Sequence, residues 1–223
     1  MHQQISKKII LYFFLFLLLG TVTNKYLNSY KFPKINSIII SGVSQQEKDD
    51  ILKKLNFLKS SNLIFLKESI IDFVVTSYDY IESFTIFKKY PSTLYVEINK
   101  AKILAKVKIN STDFLIGSNG KLINNTSIPK NIPQIFGNLD IKEFLKFKKI
   151  LENSNFDYNN IEKLFFYRSG RWDIQTNKGV YIKLPKNEID KTLVLLNDLF
   201  KNKEFKDIKI IDLRQNKQLV INE

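Results

Sequence analysis

INSIIISG, residues 35–42, holds the β-branched run Ile35–Ile40 closed by Gly42, and it reads as a strand followed by a turn. The period then changes at once. Ser44 with Glu47 three positions later forms a capping-box pair, and Ile51, Leu52 and Leu55 recur on one helical face behind it. A second helix is expected from about Leu66 to Ser77, with Ile70, Phe73 and Val74 at helical spacing. Two strands complete the unit. Glu82–Phe87 and Thr93–Ile98 flank Lys88-Lys89-Tyr90-Pro91-Ser92, and Leu94, Val96 and Ile98 mark the buried face of the second. The order strand, helix, helix, strand, strand defines an α+β domain over 34–99.

Upstream of this unit lies IILYFFLFLLLGTV, residues 9–22, with Lys7 and Lys8 before it and Lys25 after it. A bilayer core about 30 Å thick needs about 20 residues of helix, so the apolar part is short, and Ile5, Thr23 and snorkelling lysines extend it. A cleaved signal peptide is the rival reading, but no small-x-small cleavage site follows, and Tyr26 and Tyr30 stand where interfacial aromatics anchor a span. An uncleaved transmembrane anchor is therefore expected over 9–25. A tail of residues 1–8 carrying two lysines stays in the cytoplasm, which puts the bulk of the chain outside.

The 223 residues are 44% hydrophobic and 13% aromatic, ample for buried cores beyond the anchor. A formal charge of +13 and a pI near 9.6 invite a nucleic-acid reading. Against it, the only arginines are Arg168, Arg171 and Arg214, and the lysines are scattered along every segment, whereas phosphate recognition recruits the arginine fork and concentrates charge. No nucleic-acid partner is expected. There is no cysteine, and the one histidine is His2, so thiolate chemistry, thiolate metal sites and a histidine base are missing from the folded part.

Residues 100–223 read as a mixed, β-rich domain with flanking helices. Phe114–Ile116 and Lys121–Ile123 surround Gly117-Ser118-Asn119-Gly120, where Asn-Gly signals a hairpin. A helix is expected over Lys142–Asn153, with Ile141, Phe144, Leu145 and Leu151 on one face. Leu164–Tyr167, Trp172–Thr176 and Val180–Leu184 form a meander, and alternation puts Trp172 and Ile174 on the same face. Asn187 can cap a last helix carrying Ile189, Leu193, Leu196 and Phe200, before strands Ile208–Leu213 and Gln218–Ile221.

Catalysis finds no credible carriers. Ser118/Lys121 and Ser127/Lys130 have the Ser-x-x-Lys spacing of lysine-activated serines, but lysine is so common here that chance supplies such pairs, and neither sits at a helix start. Asp49 and Asp50 suit a solvated helix end. No cofactor or metal is expected. Trp172 reads first as a packing residue, and Arg214 first as one member of a structural ion pair. Gln218, Leu219, Val220 and Ile221 form a terminal apolar strand, hence an edge with free backbone groups that a partner peptide can extend, with Arg171 and Trp172 shaping the adjoining surface.

Several of these motifs carry a resemblance. The strand ending in Gly42, the helix start with Asp49-Asp50-Ile51, and Lys88-Lys89-Tyr90-Pro91 before Leu94 are similar to the polypeptide-transport-associated (POTRA) domain of the FtsQ/DivIB family of bacterial cell-division proteins. The likeness continues through Leu104-Ala105, Gly120, Ile132-Pro133-Gln134-Ile135-Phe136-Gly137, Trp172-Asp173-Ile174, Val180-Tyr181-Ile182-Lys183-Leu184 and Ile211-Asp212-Leu213-Arg214, with Lys100 and Ile103 departing from the pattern. The resemblance implies a non-enzymatic, single-pass inner-membrane scaffold of the division septum with a periplasmic C-terminal domain. It implies FtsB and FtsL as partners, through them the septal synthase, and a C-terminal docking end that is usually longer. The readings set against it are a membrane-anchored hydrolase using Ser118 and Lys121, and an outer-membrane assembly component, which also uses POTRA domains.

Overall fold

Two sheets divide the chain, and the change from one to the other falls at Ala101. The computed structural model describes residues 7–22, 32–124, 129, 131–154, 156–201, 208–215 and 220–222. Helix α1, Lys7–Val22, has 16 residues, and its apolar side chains from Ile9 to Leu19 are exposed all round. At 1.5 Å per residue it is about 24 Å long. Among the described residues no helix is long and apolar enough to cross a membrane.

The first sheet has the order β1-β3-β2, with β1 Ser37–Ser41, β2 Ile81–Lys89 and β3 Thr93–Lys100. β1 and β3 are parallel, which obliges the chain to cross over, and it does so through α2, Gln45–Leu55, a 3-10 turn at Asn56–Ser60, and α3, Glu68–Thr76. The capping box closes as expected, the Ser44 N–H donating to Glu47 Oε2 at 2.8 Å. Leu94, Val96 and Ile98 pack with Ile38, Ile40, Ile51, Leu55, Ile71 and Val75. The β2–β3 hairpin contains a cis Tyr90–Pro91 peptide.

Two expectations are corrected here. α3 buries Ile71 and Val75, whereas Ile70 is exposed and Phe73 is 79% exposed. The run Ile70-Ile71-Asp72-Phe73-Val74-Val75 offers apolar residues to more than one face, and packing against α2 and β2 selects the phase. Asp49 and Asp50 are exposed as expected but lie within α2 and not at its end, with Asp50 accepting a hydrogen bond from the Tyr78 hydroxyl at 2.6 Å. Burial, then this carboxylate, pushes the Tyr78 phenol up.

The second sheet has nine strands in the order β12-β11-β10-β9-β8-β7-β4-β5-β6. In chain order these are β4 Ile103–Ile109, β5 Thr112–Gly117, β6 Leu122–Ile123, β7 Gln134–Gly137, β8 Ile161–Phe166, β9 Trp172–Thr176, β10 Tyr181–Lys183, β11 Ile210–Asp212 and β12 Val220–Asn222. Helices α4, Ile141–Asn153, and α5, Ile189–Lys201, cover one face. Asp140 caps α4, its carboxylate accepting from the Lys142 N–H at 2.8 Å, and Phe147 joins Phe144 and Leu151 on the buried side. Glu188, at φ 57, and not Asn187, directly precedes α5, and its carbonyl accepts from the Thr192 N–H. The meander β8-β9-β10 pairs as alternation implies, with Trp172 and Ile174 both in the core.

The hairpin turn after β5 reaches across to the first sheet. Asn119 Nδ2 donates to the carbonyl oxygens of Asp79 at 2.8 Å and Ile81 at 3.0 Å, while its Oδ1 accepts from the Lys121 N–H at 3.0 Å. Tyr80 packs between the core of the first sheet and a small cluster of Ala101, Leu115 and Ile123.

Gly137 sits at φ 111, and a Cβ there would overlap the Phe166 carbonyl oxygen on the neighbouring strand. Gly137→Ala is expected to destabilise the protein by about 2 kcal/mol or more, read as a lower urea midpoint. A midpoint equal to that of the unaltered protein would show that β7 and β8 can separate there freely.

Candidate docking edge

β11 is joined to β10 in parallel through α5, and β12 then folds back antiparallel with Ile210, Ile211 and Asp212 opposite Asn222, Ile221 and Val220. Among the described residues β12 is thus the outermost strand of the sheet, paired on one side only. A strand so placed presents a row of backbone donors and acceptors on its outer side. Of the four residues expected to form this strand, Val220 and Ile221 lie in it, and Gln218 and Leu219 lie outside the described residues.

The sheet face opposite the helices carries a polar row beside that edge. The register puts Phe136, Phe165, Asp173, Lys183 and Asp212 opposite one another in successive strands, ending at Val220. Arg214 holds Asp212 with Nε at 2.8 Å and Nη2 at 2.5 Å, and Lys183 lies 3.8 Å from the same carboxylate. Arg214, helped by Lys183, holds the Asp212 carboxyl below its ordinary value, against the opposing effect of burial. Arg214 is therefore the structural partner of Asp212, with its guanidinium still partly in solvent beside the edge.

Arg171 makes the second pair. Its Nε and Nη2 reach Asp173 Oδ1 and Oδ2 at 3.1 and 3.3 Å, and the guanidinium stacks 4.4 Å from the Tyr167 ring centroid. The Asp173 side chain is only 1% exposed, and it also accepts from the Tyr181 hydroxyl at 3.3 Å, which in turn meets the Tyr167 hydroxyl at 3.0 Å. Burial, then these neighbours, raises the Tyr181 phenol above its ordinary range. Trp172 points the other way. It is 3% exposed, stacked on Phe147 with centroids 4.8 Å apart and packed against Phe166, so its indole supports β9 from inside and does not reach the outer surface.

Asp173, Tyr167 and Tyr181 were legible in principle. A buried Trp172 and Ile174 force Asp173 to the opposite face, and the meander's register then sets Tyr181 and Phe165 around it. The hydrolase reading loses its geometry. The Ser118 hydroxyl donates to the Glu82 carboxylate, and Lys121 Nζ donates to the Thr76 carbonyl at 2.9 Å, so both side chains serve the junction between the sheets.

Comparison with known proteins gives two family models that match the chain side by side. The FtsQ-type POTRA domain matches residues 34–101, and the C-terminal domain of cell division protein FtsQ/DivIB matches residues 105–214. Among individual relatives, the cell division protein FtsQ of Rickettsia prowazekii is 28% identical over 206 residues, covering 90% of this chain and 76% of that protein. The FtsQ of Rickettsia typhi is 25% identical, covering 90% and 77%. A solved extracytoplasmic domain of the cell division protein DivIB from Geobacillus stearothermophilus aligns with 48% of this chain and 98% of its own, with a TM-score of 0.36 and 15% identity.

Because Asp212 titrates lower when folded, its pair stabilises the protein above its ordinary value near 3.8 and is lost as the pH falls through the lowered value. Asp212→Asn is expected to cost about 1 kcal/mol near neutrality, given the solvent around Arg214. The difference in melting temperature from the unaltered protein should then shrink on acidification below pH 3.8. A gap that stays constant with pH would remove the ion pair as its source.

Proposed function

The chain belongs to the FtsQ/DivIB family of cell-division proteins, and on that footing we propose that it is a non-enzymatic scaffold whose β12 edge receives a strand from a division partner. The observation that carries this reading is that, among the described residues, β12 is paired on one side only, at the edge of a nine-stranded sheet and beside the exposed Arg214. Backbone pairing supplies affinity in such docking, and side chains beside the edge select the partner. Arg214 and the Arg171–Asp173–Tyr181 group shape that neighbouring face, and Trp172 keeps β9 flat against the helices behind it.

The remaining parts of the proposal follow from the same membership. Residues 9–25 anchor the protein once in the bacterial inner membrane, with 1–8 in the cytoplasm. A POTRA domain over 34–99 and a β domain over 100–223 stand in the periplasm at the septum. FtsB and FtsL are the partners, and the septal synthase is reached through them. The 16 residues of α1 fall short of a full span alone, and Lys7 and Lys8 at its start are placed to snorkel toward the headgroups.

Consecutive backbone N–H groups of a strand point to opposite sides, so one of positions 220 and 221 donates to β11 and the other outward. Val220→Pro and Ile221→Pro are therefore expected to differ. One should weaken the fold, and the other should leave melting unchanged yet cut partner affinity at least tenfold, more than Val220→Ala does. Binding to the FtsB periplasmic segment and circular dichroism would be measured together. Unchanged affinity in a well-folded outward-facing proline variant would rule out strand addition, and a fluorescent fusion that fails to gather at the septum of dividing cells would rule out the divisome role.

A further inference from the structure

We propose that the end of the POTRA unit nearest α1 is a lipid-docking face, which seats Ile64, Phe65 and the adjoining rings in the headgroup layer of an anionic membrane. The inference rests on residues 9–25 being membrane-inserted. β1 and β3 run in parallel, so Ser37 and Thr93 lie at one end of the first sheet with Lys89 of β2, while Ser41, Lys100 and Ile81 lie at the other. The second sheet grows from the latter end, through Ala101, whose N–H donates to the Tyr80 carbonyl at 2.8 Å. The chain arrives from α1 at the former. Between Val22 and Phe32 it can extend at most about 36 Å.

Three segments are tied together at that end. The Ile35 N–H donates to the Ser61 carbonyl and the Asn36 N–H to that of Ser92, both at 2.9 Å, and Lys34 bridges to Asn62. The Phe65 N–H donates to Asn62 Oδ1 at 3.1 Å, and Lys88 Nζ donates to the Leu66 carbonyl at 3.2 Å. Within Leu63-Ile64-Phe65-Leu66 the outer leucines are buried, but Ile64 is 48% and Phe65 70% exposed, with Phe32 set edge-on to Phe65 at 5.7 Å and Tyr90 60% exposed. Ile64, Phe65 and Tyr90 lie outside the buried core of the first sheet.

Charge identifies the occupant. Lys34, Lys59, Lys67 and Lys89 are exposed around the apolar group, and among the described residues none of the four is in an ion pair. Glu68, the nearby carboxylate, is matched by Lys88 at 3.2 Å. Exposed rings and aliphatic groups interleaved with lysines, on a tether this short, fit a surface that is apolar within and anionic at its rim, as a phospholipid headgroup layer is.

The chain has no cysteine, so single cysteines can carry a fluorescent probe in the full-length protein. Probes at Leu17→Cys, Phe65→Cys and Lys178→Cys would be compared in vesicles of phosphatidylglycerol and phosphatidylcholine containing spin-labelled quencher lipids. Quenching is expected at 17 and 65 and absent at 178, in the exposed turn before β10. It should fall at least twofold at 65, and not at 17, in Lys34→Glu/Lys67→Glu/Lys89→Glu. Quenching at 17 with none at 65 overturns the docking face and leaves the anchor standing, while none at 17 overturns both. Shielding at 65 that appears only when division partners are co-reconstituted assigns the face to protein and overturns the lipid reading.

Discussion

A side-chain amide lies at the centre of the junction between the two halves of this molecule. Asn119 donates to two carbonyl oxygens of the first unit, at Asp79 and Ile81, and accepts from the backbone of its own turn. The carbonyls it satisfies lie where α3 gives way to β2, a stretch whose backbone groups would otherwise need other partners. The same turn contributes Ser118 to Glu82 and Lys121 to Thr76. A segment that looks from its spacing like a nucleophile and its activating lysine is in fact a clasp. It holds the later strands against the POTRA unit together with the covalent step at Ala101, the Ala101 N–H bond to the Tyr80 carbonyl and the packing of Tyr80 between the two cores.

What could be read from the sequence was whatever left a period of its own. Strand β3 with Leu94, Val96 and Ile98, the Ser44–Glu47 cap and the β8-β9-β10 meander each had a repeat, a cap or a turn signal that no neighbour had to supply. α3 did not. With apolar residues at 70, 71, 73, 74 and 75, its buried face depends on where α2 and β2 press, which is tertiary information. Phe147 was missed for the opposite reason, because the lysines around it in Lys146-Phe147-Lys148-Lys149 mask the face it belongs to. Lys148 shows how that works, since it lies along the buried side with its ammonium drawn to Glu152 at 2.6 Å and over the Tyr158 ring at 4.1 Å.

The docking edge was legible as an apolar terminal strand, and its surroundings were not. Trp172 attracts notice as the lone tryptophan, yet it is spent on packing, and the polar groups of the outer face are its sequence neighbours Arg171 and Asp173. In a strand, adjacent residues serve opposite faces, so the residue that catches the eye and the residues that meet a partner differ by a single step.

The order of the sheet has a consequence for incomplete chains. β11 and β12 lie at the outer end of the sheet, and β10 would be the outermost strand without them. β10 and β11 run in the same direction and β12 in the reverse one. A protein cut short before Ile210 would therefore still show a strand edge, but one of inverted polarity, into which a partner segment could settle only the wrong way round. The direction of the outermost strand thus sets which way round a partner segment can pair with the sheet.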